Sequence, residues 1–171
     1  NARTTPGQQV VQDELFTTFD PATDLLQFDP VVFGIEKLLF ANDLVGNLPS
    51  TGVNFIVLRT FDNDANPTTG FGAGAAHNLI ADQLTESTAG FFIYFNSGLD
   101  VARLVFSTDL SDRNADLKVL ARFTNLTGQA GRDAFSSFTE QNVTAVPEPS
   151  SLVLVSSAGL AWLGRVAAAG V

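Results

Sequence analysis

From residue 10 onward the chain alternates short apolar runs with clusters of turn-forming residues. Residues 10–19 (V-V-Q-D-E-L-F-T-T-F) are rich in Val, Thr and Phe and predict a strand, ended by Asp20-Pro21. Residues 25–28 predict a second strand, stopped by Asp29-Pro30. Residues 31–40 support two readings: V-V-F-G-I has strand character, and I-E-K-L-L-F fits a helical turn. Residues 42–52 carry Gly46, Pro49 and Gly52 and read as a loop. Residues 53–61 (V-N-F-I-V-L-R-T-F) are apolar at consecutive positions and predict a central strand covered on both faces. After a long loop at 62–74, residues 75–85 predict a helix with Leu79, Ile80 and Leu84 on one side.

Residues 91–95 and 101–107 flank N-S-G-L-D, the pattern of a hairpin. Residues 117–123 alternate, so Leu117, Val119, Ala121 and Phe123 are expected on one face and Lys118 and Arg122 on the other. Residues 125–132 read as a turn region with Gly128 and Gly131, and residues 135–143 as a last strand. About seven or eight short strands and one short helix predict a mostly β domain, an antiparallel β-sandwich over residues 10–143. Residues 1–9, with Pro6 and Gly7, are expected to form a flexible arm.

The tail has a different pattern. Pro147-Glu148-Pro149 cannot continue a helix or a strand ladder, so residues 144–150 predict a linker. Ser150 and Ser151 are suited to cap a helix beyond it. From Leu152 to Gly164 there is no charge; Arg165 follows. A helix over residues 152–171 would span roughly 30 Å, one hydrocarbon core, so residues 151–171 predict a single transmembrane anchor. Leu152, Leu154, Leu160 and Leu163 supply its apolar surface, while Trp162 and Arg165 suit a membrane interface. Ser156, Ser157, Ala158, Gly159 and Ala161 would let another helix approach closely.

V-P-E-P-S-S-L-V-L followed by an apolar stretch and a basic residue resembles the PEP-CTERM sorting tail of bacterial envelope proteins, over about the last 26 residues. Pro147, Glu148 and Pro149 are the positions that match. The resemblance implies recognition by an exosortase, a membrane enzyme that cuts near this motif, and a link to extracellular polysaccharide. The family usually ends in a cluster of Arg or Lys; here Arg165 stands alone. Arg165 behind the apolar stretch predicts a cytoplasmic C-terminus and a periplasmic or extracellular domain before it. Asn1 in place of Met is expected from removal of a secretion signal.

Composition narrows the chemistry. The net charge is −9, which argues against nucleic acid and is compatible with a divalent cation or a basic protein partner. With no Cys, a disulfide framework, Cys-ligated zinc, iron–sulfur clusters and thiol catalysis are excluded. The single His77 cannot build a multi-histidine metal site and has no G-x-S-x-G companion; it is expected as a polar cap or surface residue. Asp62, Asp64 and Asn66 fall at the spacing of the first calcium ligands of an oxygen-lined loop, although Pro67 and Ala73 replace the glycine and glutamate of that pattern. Asx turns explain the same spacing. Gly70 to Gly74 (G-F-G-A-G) precedes the predicted helix, but no Lys follows and no βαβ unit is expected around it, so it reads as a tight loop and not a phosphate cradle. The aromatic run 91–95 puts rings on both strand faces: one is core, and the other either packs under the helix or forms a platform for a partner or a sugar.

These readings predict a non-catalytic, membrane-anchored extracytoplasmic domain with a structural or scaffolding role, partnered by membrane-embedded or periplasmic proteins and by the bilayer itself. One alternative is an accessory subunit of a larger integral membrane complex. Another is a calcium-dependent carbohydrate-binding or exopolysaccharide-associated protein.

Overall fold

The computed structural model describes residues 14–66 and 68–146. The strands are β1 (Glu14–Phe16), β2 (Leu26–Phe28), β3 (Phe40–Asp43), β4 (Phe55–Leu58), β5 (Gly90–Asn96), β6 (Val101–Ser107), β7 (Leu117–Phe123) and β8 (Val143–Ala145). The α-helices are α1 (Pro30–Phe33), α2 (Ala73–Ala81) and α3 (Gly128–Asp133). Six strands form one sheet in the order β1-β7-β6-β5-β4-β3, and β2 pairs with β8 in a small second sheet.

The period-2 geometry of β4 and β5 explains the layers. Phe55, Val57, Phe91, Ile93 and Phe95 point to one face; Ile56, Leu58, Phe92 and Tyr94 point to the other. All of these side chains are fully buried, so the aromatic run is core on both faces, as its packing under a helix requires. On the first face lies an aromatic layer covered by β2, β8 and the loops around them. Every phenylalanine except Phe71 and Phe92 belongs to this layer or packs against it. On the second face α2 brings Ala76 and Ile80 down onto Phe92, Tyr94, Val105 and Val119.

The mostly β fold is as expected, but the sheet is mixed and not antiparallel. β3, β4 and β5 pair in parallel, β1 pairs in parallel with β7, and among the described strands of this sheet β6 alone runs against the rest. The physical reason is the long connection from β4 to β5. It carries α2 across one face, which is what a parallel pair needs, so β4-α2-β5 is a βαβ unit. Nor is the second layer a full sandwich sheet among the described residues, where it holds the short parallel pair of β2 and β8.

Several local expectations also change. In residues 31–40 a one-turn helix, α1, comes first: Asp29 accepts a 2.8 Å hydrogen bond from the Val31 amide, Pro30 opens the turn, and Gly34 at φ 67° ends it. Residues 42 and 43 are strand, not loop, and a 3-10 turn follows at Val45–Asn47. Residues 128–133 are helical. The expected strand over 135–143 is instead two 3-10 turns, Ala134–Ser137 and Glu140–Asn142, before β8.

The uniform face expected for β7 is also split. The pairing steps from Leu104↔Ala121 to Val105↔Val119, leaving Leu120 as the extra residue of a β-bulge. Leu117 and Val119 therefore face α2, whereas Ala121 and Phe123 face the aromatic layer.

Buried asparagines tie the loops to this frame. Asn142 donates to the carbonyls of Pro21 (2.8 Å) and Asp24 (2.7 Å), and its oxygen accepts from the Thr139 amide (2.7 Å). Asn54 bridges Lys37 and Leu39 in the same way. Each amide side chain satisfies main-chain groups that the short strands leave unpaired.

Candidate functional site

The residues expected to ligate calcium sit together on one exposed loop. Asp62 Oδ1 accepts from the amides of Asn63 (2.7 Å) and Asp64 (3.2 Å), and Asp64 Oδ1 from that of Asn66 (2.9 Å). Asn66 Oδ1 accepts from the amide and hydroxyl of Thr68. The result is a ladder of Asx turns. The Asp64 amide, with further hydrogen bonds beside it, holds the Asp62 carboxyl below its ordinary value against the opposing effect of desolvation. Among the described residues no group of three or more His, Cys, Asp or Glu converges on a point.

The glycine-rich loop at 70–74 lies in the βαβ unit, contrary to expectation, and opens α2 without a side-chain cap. Two of its amides have partners inside the fold. Phe71 N–H donates to Ser97 Oγ at 2.8 Å, and Ala73 N–H donates to the Tyr94 hydroxyl. Tyr94 also receives Asn96 Nδ2 at 3.0 Å, and its burial pushes the phenol pKa up. A buried neutral phenol thus stands at the helix start where a phosphate would need the amides.

His77 is neither a cap nor a surface residue. It is fully buried beneath α2, with Nε2 3.0 Å from Ser107 Oγ and 3.1 Å from the Asp109 carbonyl. The serine–imidazole distance is that of a nucleophile and its base. Access is what differs: Ser107 and His77 both have zero exposed surface, and Ser107 Oγ donates to the Asp109 carbonyl at 2.8 Å. The Asp109 carboxylate accepts from Ser87 Oγ and from the amide and hydroxyl of Ser111. The cluster is a strut that fastens α2 to the end of β6. No simple sequence signal announced it, because Ser107 lies 30 positions from His77.

An open cleft of about 440 Å³ lies on the aromatic side, between β1 and β7 on one hand and β2 and α1 on the other. Phe16, Leu25, Leu26, Phe28, Phe33, Leu104, Leu120 and Ala121 line it, and among the described residues only Glu14 and Gln27 of the lining are polar. The β-bulge leaves the consecutive residues Leu120 and Ala121 on the same face, and both line the cleft. Phe33 packs edge-on against Phe91 at 4.9 Å and fixes the α1 wall. Beside it, Val31 and Val32 are 84% and 71% exposed. A signal for this patch was present: three consecutive apolar residues in one helical turn point about 100° apart, so they cannot all reach one core.

Pro147, Glu148 and Pro149, and the anchor residues Leu152, Leu154, Leu160, Trp162, Leu163 and Arg165, lie outside the described residues. Among the described residues no helix is long and apolar enough to cross a membrane. The geometry defines a mostly β, mixed-sheet domain with a buried polar strut and an open apolar cleft. Compared with family models, curated proteins and solved structures, the chain matches none of them.

Proposed function

We propose that this chain is a non-catalytic, membrane-anchored domain with a structural, scaffolding role at the outer side of a bacterial cytoplasmic membrane. Pro147, Glu148 and Pro149 act as its sorting motif, and residues 151–171 are its anchor. The partners are proteins of the membrane or periplasm, with basic surfaces that suit the charge of −9.

The observation that supports this reading is how the domain ends. β8 is paired to β2 through Ala145, and the next amide, that of Val146, donates to the Phe28 carbonyl at 2.9 Å. The described fold therefore runs up to the Pro-Glu-Pro spacer with no slack between them. A domain whose last described strand is pinned in this way stays close to whatever its tail is anchored in, which is what a scaffold needs. The test is topology. Protease added outside sealed spheroplasts should digest residues 14–146 and leave a protected tail fragment; a fully protected domain would contradict the reading.

A further inference from the structure

We infer that the apolar cleft faces the bilayer that holds the tail and takes up an acyl chain of a membrane lipid. This rests on the anchored reading above and adds the ligand and the orientation.

The argument is geometric. β2 and β8 run parallel with Phe28 opposite Ala145, so both strands end at the same edge of the domain. From β2 the chain turns directly into α1, which exposes Val31 and Val32. From β8 it passes through Val146, held to Phe28, whose ring lines the cleft. The exit of the chain and the apolar rim of the cleft therefore share one edge. Six Cα steps separate Val146 from Leu152, which at full extension is about 20 Å. An anchored tail thus keeps this edge within about 20 Å of the hydrocarbon.

Chemistry selects the occupant. The walls are aromatic and aliphatic, with Leu120 and Ala121 brought to one face by the bulge, and among the described residues the lining carries no cationic group to meet a phosphate. Glu14 and the acidic surface disfavour anionic headgroups. The contact is therefore with hydrocarbon, favoured by apolar burial and strongest in zwitterionic lipid.

The chain has no cysteine, so single probes can be placed cleanly. The full chain is reconstituted in phosphatidylcholine nanodiscs that contain nitroxide-labelled acyl chains. An environment-sensitive dye is attached to Val31→Cys or, as a control near the far side of α2, to Asn114→Cys. The dye at position 31 should be quenched about threefold more than that at position 114. Equal quenching in an inserted chain overturns the inference and leaves the anchored reading standing. A chain that stays out of the bilayer overturns both, its apolar tail then being free to fill the cleft. Cleft occupancy has its own readout in native mass spectrometry of the released protein. Retained phosphatidylcholine should fall about tenfold in Leu120→Trp, which fills the cleft, and also in the exposed-rim variant Leu25→Gln. Equal retention in wild type and both variants overturns acyl binding.

Discussion

The Val146 amide lies 2.9 Å from the Phe28 carbonyl, and this contact joins the end of the described fold to the wall of its cleft. Val146→Pro removes the donor and leaves the residue's apolar character. The cost should be about 0.5–1 kcal/mol, read as a lower urea midpoint with an unchanged slope. A loss several times larger would mean that β8 as a whole depends on this bond.

Phe28 itself should matter far more. Its ring sits 4.3 Å from that of Phe91 and 5.7 Å from that of Phe55, and only 7% of the residue is exposed. Phe28→Ala should destabilise by about 3–5 kcal/mol, whereas Gln27→Ala on the same strand, exposed at the mouth of the cleft, should stay within about 0.5 kcal/mol. Similar losses at both positions would contradict the layering of β2 on the sheet.

The His77–Ser107 contact predicts non-additivity. His77→Ala opens a cavity under α2 and strips Ser107 of a partner, so it should cost about 2–4 kcal/mol. Ser107→Ala alone should cost less. The double variant should fall short of the sum by about 1 kcal/mol in a denaturation cycle. Strict additivity would mean that the two groups do not interact in solution.

Acid should destabilise the domain through a small set of aspartates. Burial opposes ionisation of Asp109, but hydrogen bonds from Ser87 and Ser111 outweigh it and hold the carboxyl below its ordinary 3.8. The Leu44 amide foremost, with Asn47 and Arg59, does the same for Asp43. When the folded value is depressed, the unfolded chain takes up the proton first. Such groups therefore contribute stability above about pH 3.8 and lose it as the pH falls through the folded value. The melting temperature should drop below about pH 4, and less steeply in Ser87→Ala, which releases part of the hold on Asp109. An unchanged acid slope in that variant would contradict the assignment.

The Asx ladder at 62–68 predicts little response to calcium. Asp62, Asp64 and Asn66 each already direct a side-chain oxygen at main-chain amides, and a cation would compete with those bonds. Millimolar calcium should leave the melting temperature unchanged; a saturable rise, lost in Asp64→Asn, would assign these residues as ligands instead.

Strand and helix positions were legible where period and burial agree. β4, the β5–β6 hairpin and α2 sit close to where the apolar runs predict them, since β4 and β5 are buried on both faces and needed no knowledge of partners. Sheet direction was not legible, because parallel pairing of β4 with β5 depends on where the long connection through α2 crosses, a tertiary property. The bulge at Leu120 was hidden for a related reason. L-K-V-L-A-R-F reads as clean alternation, and only pairing with β6 shows that one residue is extra. The cleft follows from that bulge and from α1, so it was invisible until strands far apart in sequence met. The buried strut was missed because His77 gains its partners from β6 and the turn beyond it.

The most direct measurement is alkaline carbonate extraction of membranes that carry the full chain, beside a variant ending at Val146. The anchored account predicts that the full chain stays in the pellet while the shortened domain appears folded in the supernatant. Release of the full chain into the supernatant, with the same melting temperature as the shortened form, would contradict it.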